Sequence, residues 1–282
     1  MKKVFFLAFY FCITLCTAQS IASIDDITDT KRFLLEVKQL DQFIKRFNNE
    51  EDILTGNEKT VEEITANSKD IRGFQKERKK ILMTLFNLSD SSLFNKTTRE
   101  FVNFIGNDTN LITISYYDPD WYAAVNCTMN YKGKNFPVIL TMKNEGSYKS
   151  GFKWIIESAS PDFFKITSSH KDSTKCIGPM NHELGFMGLF NVFNDAKNIA
   201  EYTSKNFIPD NFSVFLFLVK SGEIKYVKVN SVKYHFLQLK NWIFTVEYFN
   251  RNDNNSGWLI SSIFKVTDSE KMNYSNKILS LR

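Results

Sequence analysis

The residues best suited to metal or nucleophilic chemistry in this 282-residue chain are three histidines and four cysteines. His182-Glu183 opens like a zinc-protease helix, which needs a second histidine four residues on so that two imidazoles share one helix face. Phe186 stands at that position, so the pair cannot form. His170 and His235 have no ligand spacing to each other or to His182. Neither a glycine-rich phosphate loop nor a Gly-x-Ser-x-Gly elbow occurs. The polar run Asn252-Asp253-Asn254-Asn255 lacks the alternating acids and terminal glutamate of a calcium loop and reads as a turn. On these grounds no catalytic residue, metal ligand or cofactor is expected.

Two weaker groupings remain. Asp118 or Asp120 beside Tyr116, Tyr117 or Tyr122 would supply a carboxylate base and a hydroxyl donor for isomerase-type proton transfer. Pro119 lies between the two acids, and Asp-Pro-Asp turn chemistry is the simpler account. The second grouping is aromatic: 27 Phe, 11 Tyr and 4 Trp make up 15% of the chain. Most must be core, since a large ring in a strand earns its place by buried area. Trp154, Trp258, Tyr122 and Tyr226 are the candidates for stacking a ligand on a concave sheet face.

The N-terminus sets the compartment. Lys2 and Lys3, the apolar stretch 4–15 and the small residue Ala18 before Gln19 form an export signal, too short for a membrane span of roughly 20 residues. Leu15 before Cys16 is a poor lipidation context. Removing 1–18 takes away two lysines and lowers the net charge from +5 to +3. So weak a balance is no nucleic-acid footprint, and no integral membrane segment is expected in the mature chain. Cys12 and Cys16 leave with the signal. Cys127 and Cys176 either pair as a disulfide, which export permits, or stay separate, with Cys127 serving as a small apolar residue on its strand. The expected location is periplasmic, cell-surface or secreted.

These residues need elements to position them. Phe33, Val37, Leu40, Ile44 and Phe47 recur at helical spacing, as do Ile71, Phe74, Ile81, Leu82, Leu85 and Phe86, and a shorter helix is expected over 100–105. Strands are expected over 111–117, 121–131, 136–142 and 152–158, the second with Ala123, Val125, Cys127, Met129 and Tyr131 on one face. A polar linker over 161–179 leads to a helix over 182–204. Four further strands are expected over 212–219, 225–237, 242–249 and 258–266. The organisation is then signal 1–18, helical region plus first α+β unit 19–160, linker 161–179, second unit 180–268 and C-terminal tail 269–282.

The second half repeats the first in order. At an offset of 104, residues 83–160 share 13 identities with 187–264, among them Tyr122 on Tyr226, Asn126 on Asn230 and Trp154 on Trp258. A helix against a four-stranded meander, twice over, resembles the cystatin-like and nuclear-transport-factor-2-like (NTF2-like) α+β folds. The likeness is carried by Gly151-Phe152-Lys153-Trp154-Ile155-Ile156, Ser256-Gly257-Trp258-Leu259-Ile260-Ser261 and the segment Asn181 to Met187. With the signal, the chain is similar to uncharacterised secreted bacterial proteins of tandem units. The resemblance implies a cone or groove that holds a small ligand, a catalytic site or a partner surface, and fold alone does not choose among them. The expected function is a non-catalytic binding or interaction module of the cell envelope, acting on a small molecule or a protein. A small-molecule isomerase or hydrolase on the same cone, and a secreted protease inhibitor or effector, are the alternatives.

Overall fold

The alternation of small and apolar residues from Trp121 onward builds the central strand of the molecule. In the computed structural model, β1 (Trp121–Tyr131) turns at Lys132 (φ 51°) and Gly133 (φ 78°) into β2 (Lys134–Ser147). Two successive positive φ angles match the right-handed twist of a two-residue hairpin. The described residues are 36–52, 55–60, 71–107, 111–147, 151–161, 177, 188–204, 210–252 and 255–280. The residues read as an export signal, nearly all of the expected linker, Cys176 and the start of the helix expected over 182–204 lie outside them.

β2 pairs with β3 (Gly151–Pro161), and the second half supplies β4 (Ile224–Phe236), β5 (Trp242–Phe249) and β6 (Gly257–Lys265). All pairs are antiparallel, in the order β3-β2-β1-β4-β5-β6. The two halves therefore form one sheet, joined back to back through β1 and β4. At that seam Asn230 Nδ2 donates to Asn126 Oδ1 at 3.3 Å, and the two residues are 104 apart, the offset of the sequence repeat. Each half is a meander of three strands.

Both missing strands have a physical cause. The segment 111–117 is outside the sheet, and its backbone is held by side chains instead. Asn48 Nδ2 donates to Ile114 O and Asn48 Oδ1 accepts from Ile114 N–H, both at 2.9 Å. Gln238 clamps Ser115 in the same two-handed way at 2.7 and 2.8 Å. The other segment, 212–219, is helical. A continuous apolar run does not distinguish strand from helix by period, so its ends decide. Asp210 caps the first turn, accepting from Phe212 N–H at 3.1 Å and from the Ser213 hydroxyl at 2.6 Å. Gly222 (φ 79°) closes the last turn, with Gly222 N–H donating to Val219 O and Glu223 N–H to Leu218 O.

Six α-helices are present among the described residues. α1 (Leu40–Phe47), α2 (Ile71–Thr84) and α3 (Lys96–Gly106) precede the sheet. α4 (Leu189–Asn194) and a 3₁₀ segment, Ala196–Tyr202, follow β3, then come α5 (Asn211–Lys220) and α6 (Asp268–Ile278). α6 begins at the last residue of the expected second unit and runs through most of the region read as a tail, behind a capping box of Thr267 and Glu270. Phe43, Phe47, Leu82, Leu85 and Phe101 bring α1–α3 against Trp121, Phe236 and Phe244 of the sheet in one core. α5 covers a second stretch with Phe215 against Cys127, Met129 and Val138. α6 lies on the opposite face, where buried Leu279 packs with Tyr122 and Ile243.

Two short additions seal the β6 edge. Trp258 N–H donates to Val37 O at 2.8 Å, and Ile260 N–H to Leu85 O at 2.7 Å. Val37 and Phe86 thus form parallel bridges to Gly257 and Ile260. β4 is different, because β5 pairs only with Lys233–Phe236, so 225–231 has sheet on one side alone.

Candidate ligand-binding groove

An aromatic ribbon crosses the sheet face beneath the N-terminal helices. Phe152 lies against Tyr117 (centroids 4.5 Å apart), Tyr117 against Tyr116 (5.5 Å), Tyr116 against Trp121 (5.1 Å) and Trp121 against Trp154 (4.9 Å). It continues from Trp154 to Tyr234 (6.5 Å), Trp258 (4.9 Å) and Tyr248 (5.4 Å). Strand alternation explains the series, since Trp154, Trp121, Tyr234 and Trp258 sit on one face of four different strands.

Where α1 stops short of this ribbon, a groove of about 660 Å³ opens. That size falls within the usual range for small-molecule sites, roughly 300–1,000 Å³. One wall is α1, with Leu40, Asp41, Ile44, Lys45 and Asn48; the rim is 114–117; the floor is Trp154 and Tyr234. The rim is rigidly placed. Besides the Asn48 and Gln238 clamps, Tyr116 O accepts from Trp121 Nε1 at 3.0 Å and from Asn144 Nδ2 at 3.1 Å. With the backbone fixed, Tyr116 and Tyr117 present their rings to the opening.

The groove's charges are unequal. Lys45 is tied to Glu58, and that hydrogen bond raises the ammonium above its usual pKa. Glu50 accepts from Asn48 at 3.1 Å, and Asp41 stands exposed at the mouth. Two carboxylates therefore face the space with one lysine already neutralised. Burial pushes the Tyr234 phenol up, so it stays protonated and able to donate. Behind this wall, Arg46 and Glu51 form a buried ion pair at 3.0 Å that anchors α1, and Gln42 adds a bond to the same Glu51 oxygen.

The four aromatic candidates separate. Trp154 lines the groove. Trp258 is one ring away, packed on Tyr234 and Tyr248, and backs the floor without lining it. Tyr122 is buried on the opposite sheet face, where burial raises its phenol pKa. Tyr226 stands exposed on the open part of β4. Asp118 does turn work, its carboxylate accepting from Asp120 N–H at 2.7 Å. Cys127 is a buried free thiol whose pKa burial raises, and Cys176 lies outside the described residues. Asp41, Asn48, Glu50, Tyr234 and Gln238, in the groove or clamping its rim, are the residues sequence reasoning missed. Tyr234 is two residues from the strand's end, in phase with Phe236, and the period-2 pattern could have found it.

Among the described residues no group of His, Cys, Asp and Glu is arranged to hold a metal, and no helix is long and apolar enough to cross a membrane. Compared with protein-family models, curated proteins and solved structures, the chain matches none.

Proposed function

We propose that this is an exported, non-catalytic binding module of the cell envelope, made of two related halves on a cystatin-like or NTF2-like plan. Its groove takes a ring-bearing small molecule with a cationic group. The observation that carries this is the meeting of Tyr116, Tyr117, Trp154 and Tyr234 with Asp41 and Glu50 around one opening. Aromatic faces attract cations as well as flat rings, and nearby carboxylates add charge complementarity.

Phenyltrimethylammonium and its neutral isostere tert-butylbenzene, titrated against tryptophan fluorescence, test the reading. The cation is expected to bind about fivefold more tightly, a difference of about 1 kcal/mol. Trp154→Ala should abolish the response, and Trp258→Ala should retain it. Absence of binding by either probe, or a Trp154→Ala variant that binds like wild type, rejects the groove. Turnover of a small substrate that depends on Asp41 or Glu50 would replace binding with catalysis.

A further inference from the structure

α5 is apolar nearly all the way round, yet only Phe215 is buried. Helices of that composition are normally enclosed by protein or lipid. Phe217 is 66% exposed, Leu216 and Val219 more than 40%, and Val227 on the adjoining β4 is 44% exposed. On the α5 side of the β4 stretch that β5 leaves uncovered, Tyr226 and Val229, whose partners Met129 and Cys127 pack under α5, are exposed as well.

What surrounds them is basic. Lys220 ends α5; Lys225 and Lys228 follow on β4 but pair with Asn130 and Thr128, so they project from the reverse face of the same strand end. The β1–β2 turn adds Lys132 and Lys134, because Tyr131 pairs with both Lys134 and Ile224. Among the described residues here the single acid is Glu223, whose charge acts on Lys132. Three lysines beside exposed phenylalanine and leucine, with two more on the reverse of the same strand end, match a bilayer interface with anionic headgroups, where basic residues are drawn to the surface charge and the apolar groups enter the acyl boundary. Added strands fit less well. Lysines on an edge oppose strand addition, and β4 is irregular here, with register shifts at Asn126/Cys127 and Thr128/Met129.

We propose that the end of the molecule formed by α5, the start of β4 and the β1–β2 turn docks on an anionic phospholipid surface. This surface is separate from the groove and does not depend on what the groove binds.

The full chain is sedimented with phosphatidylglycerol/phosphatidylcholine vesicles and with pure phosphatidylcholine vesicles. Wild type should partition onto the anionic vesicles and lose that binding in high salt. Phe217→Ser with Leu216→Ser, and separately Lys132→Glu with Lys134→Glu, should each lower partitioning about tenfold. All four positions are exposed, so an unchanged melting temperature confirms that the variants fold. Because residues 1–18 are identical in every version, variants that bind like wild type overturn the proposal by placing the contact elsewhere. Equal binding to neutral vesicles, or no vesicle binding together with self-association lost in the same variants, also overturns it.

Discussion

The two halves of the sheet share an offset and little else. β1 and β4, and β3 and β6, begin and end within a few residues of that 104-residue displacement. Trp154 and Trp258 occupy matching places, yet one faces a groove and the other supports it. The cause lies outside the strands. Residues 111–117 form an extended rim clamped by Asn48 and Gln238, whereas the corresponding stretch of the second half is α5. The strands of the two halves correspond, and the segments that do not, 111–117 and α5, make the two halves differ.

The openings of β3 and β6 allow the largest test of this asymmetry. Gly151 and Gly257 both have positive φ, 76° and 93°. Among the described residues a Cβ on Gly151 meets nothing within 4 Å, but on Gly257 it would lie 2.1 Å from Val37 O. Gly257→Ala should therefore break the Val37 bridge and cost about 4 kcal/mol or more, whereas Gly151→Ala should cost about 1 kcal/mol for backbone strain alone. Chemical denaturation of the two variants measures the gap. Equal losses would mean that the second half does not depend on the N-terminal segment.

A second contrast lies between Tyr131 and its offset counterpart His235. Tyr131 is a half-buried ring of the α5 cluster; His235 is buried on the opposite face, its Nδ1 2.7 Å from the Tyr274 hydroxyl and its Nε2 without a hydrogen-bond partner among the described residues. Burial, assisted by Lys233 and opposed by Glu247, lowers its pKa from 6.5 to about 4. Above pH 6.5 the imidazole is neutral in both folded and unfolded chains, and stability is complete. As the pH falls from 6.5 to 4, the unfolded chain takes up a proton that the folded chain refuses, so stability declines. Below 4 both are protonated and the loss levels off at about 3 kcal/mol. His235→Phe should remove this part of the acid sensitivity from a urea series run across that window. An unaltered slope would assign the sensitivity to other groups.

How much of this could be read beforehand depends on range. The alternation of Ala123, Val125, Cys127 and Met129 located β1, and the other five strands lie close to the stretches expected for them, because period 2 is a local property. α5 occupies a stretch expected as a strand, because Asp210 and Ser221-Gly222 at its ends suit a strand's turns and a helix's caps equally well. Trp154 could be singled out, but its groove could not. The groove depends on Asn48 reaching Ile114 across 66 residues and Gln238 reaching Ser115 across 123, pairings that leave no periodic trace.

Those clamps carry the smallest predicted effect and the one closest to function. Asn48 is buried, so its loss would strand polar groups inside and disturb the core as well as the rim. Gln238 lies partly exposed, and water can replace it at the Ser115 backbone. Gln238→Ala should therefore cost only about 1 kcal/mol of stability. The rim would still be held at Ile114 by Asn48 and at Tyr116 by Trp121 and Asn144, but Ser115 would be released between them. Faster amide exchange at Ser115 and a severalfold weaker phenyltrimethylammonium affinity, with the Gly257 bridge unaffected, are the expected results. If exchange there stays as slow as in wild type, the non-repeating rim is fixed by its aromatic contacts and not by its amide clamps.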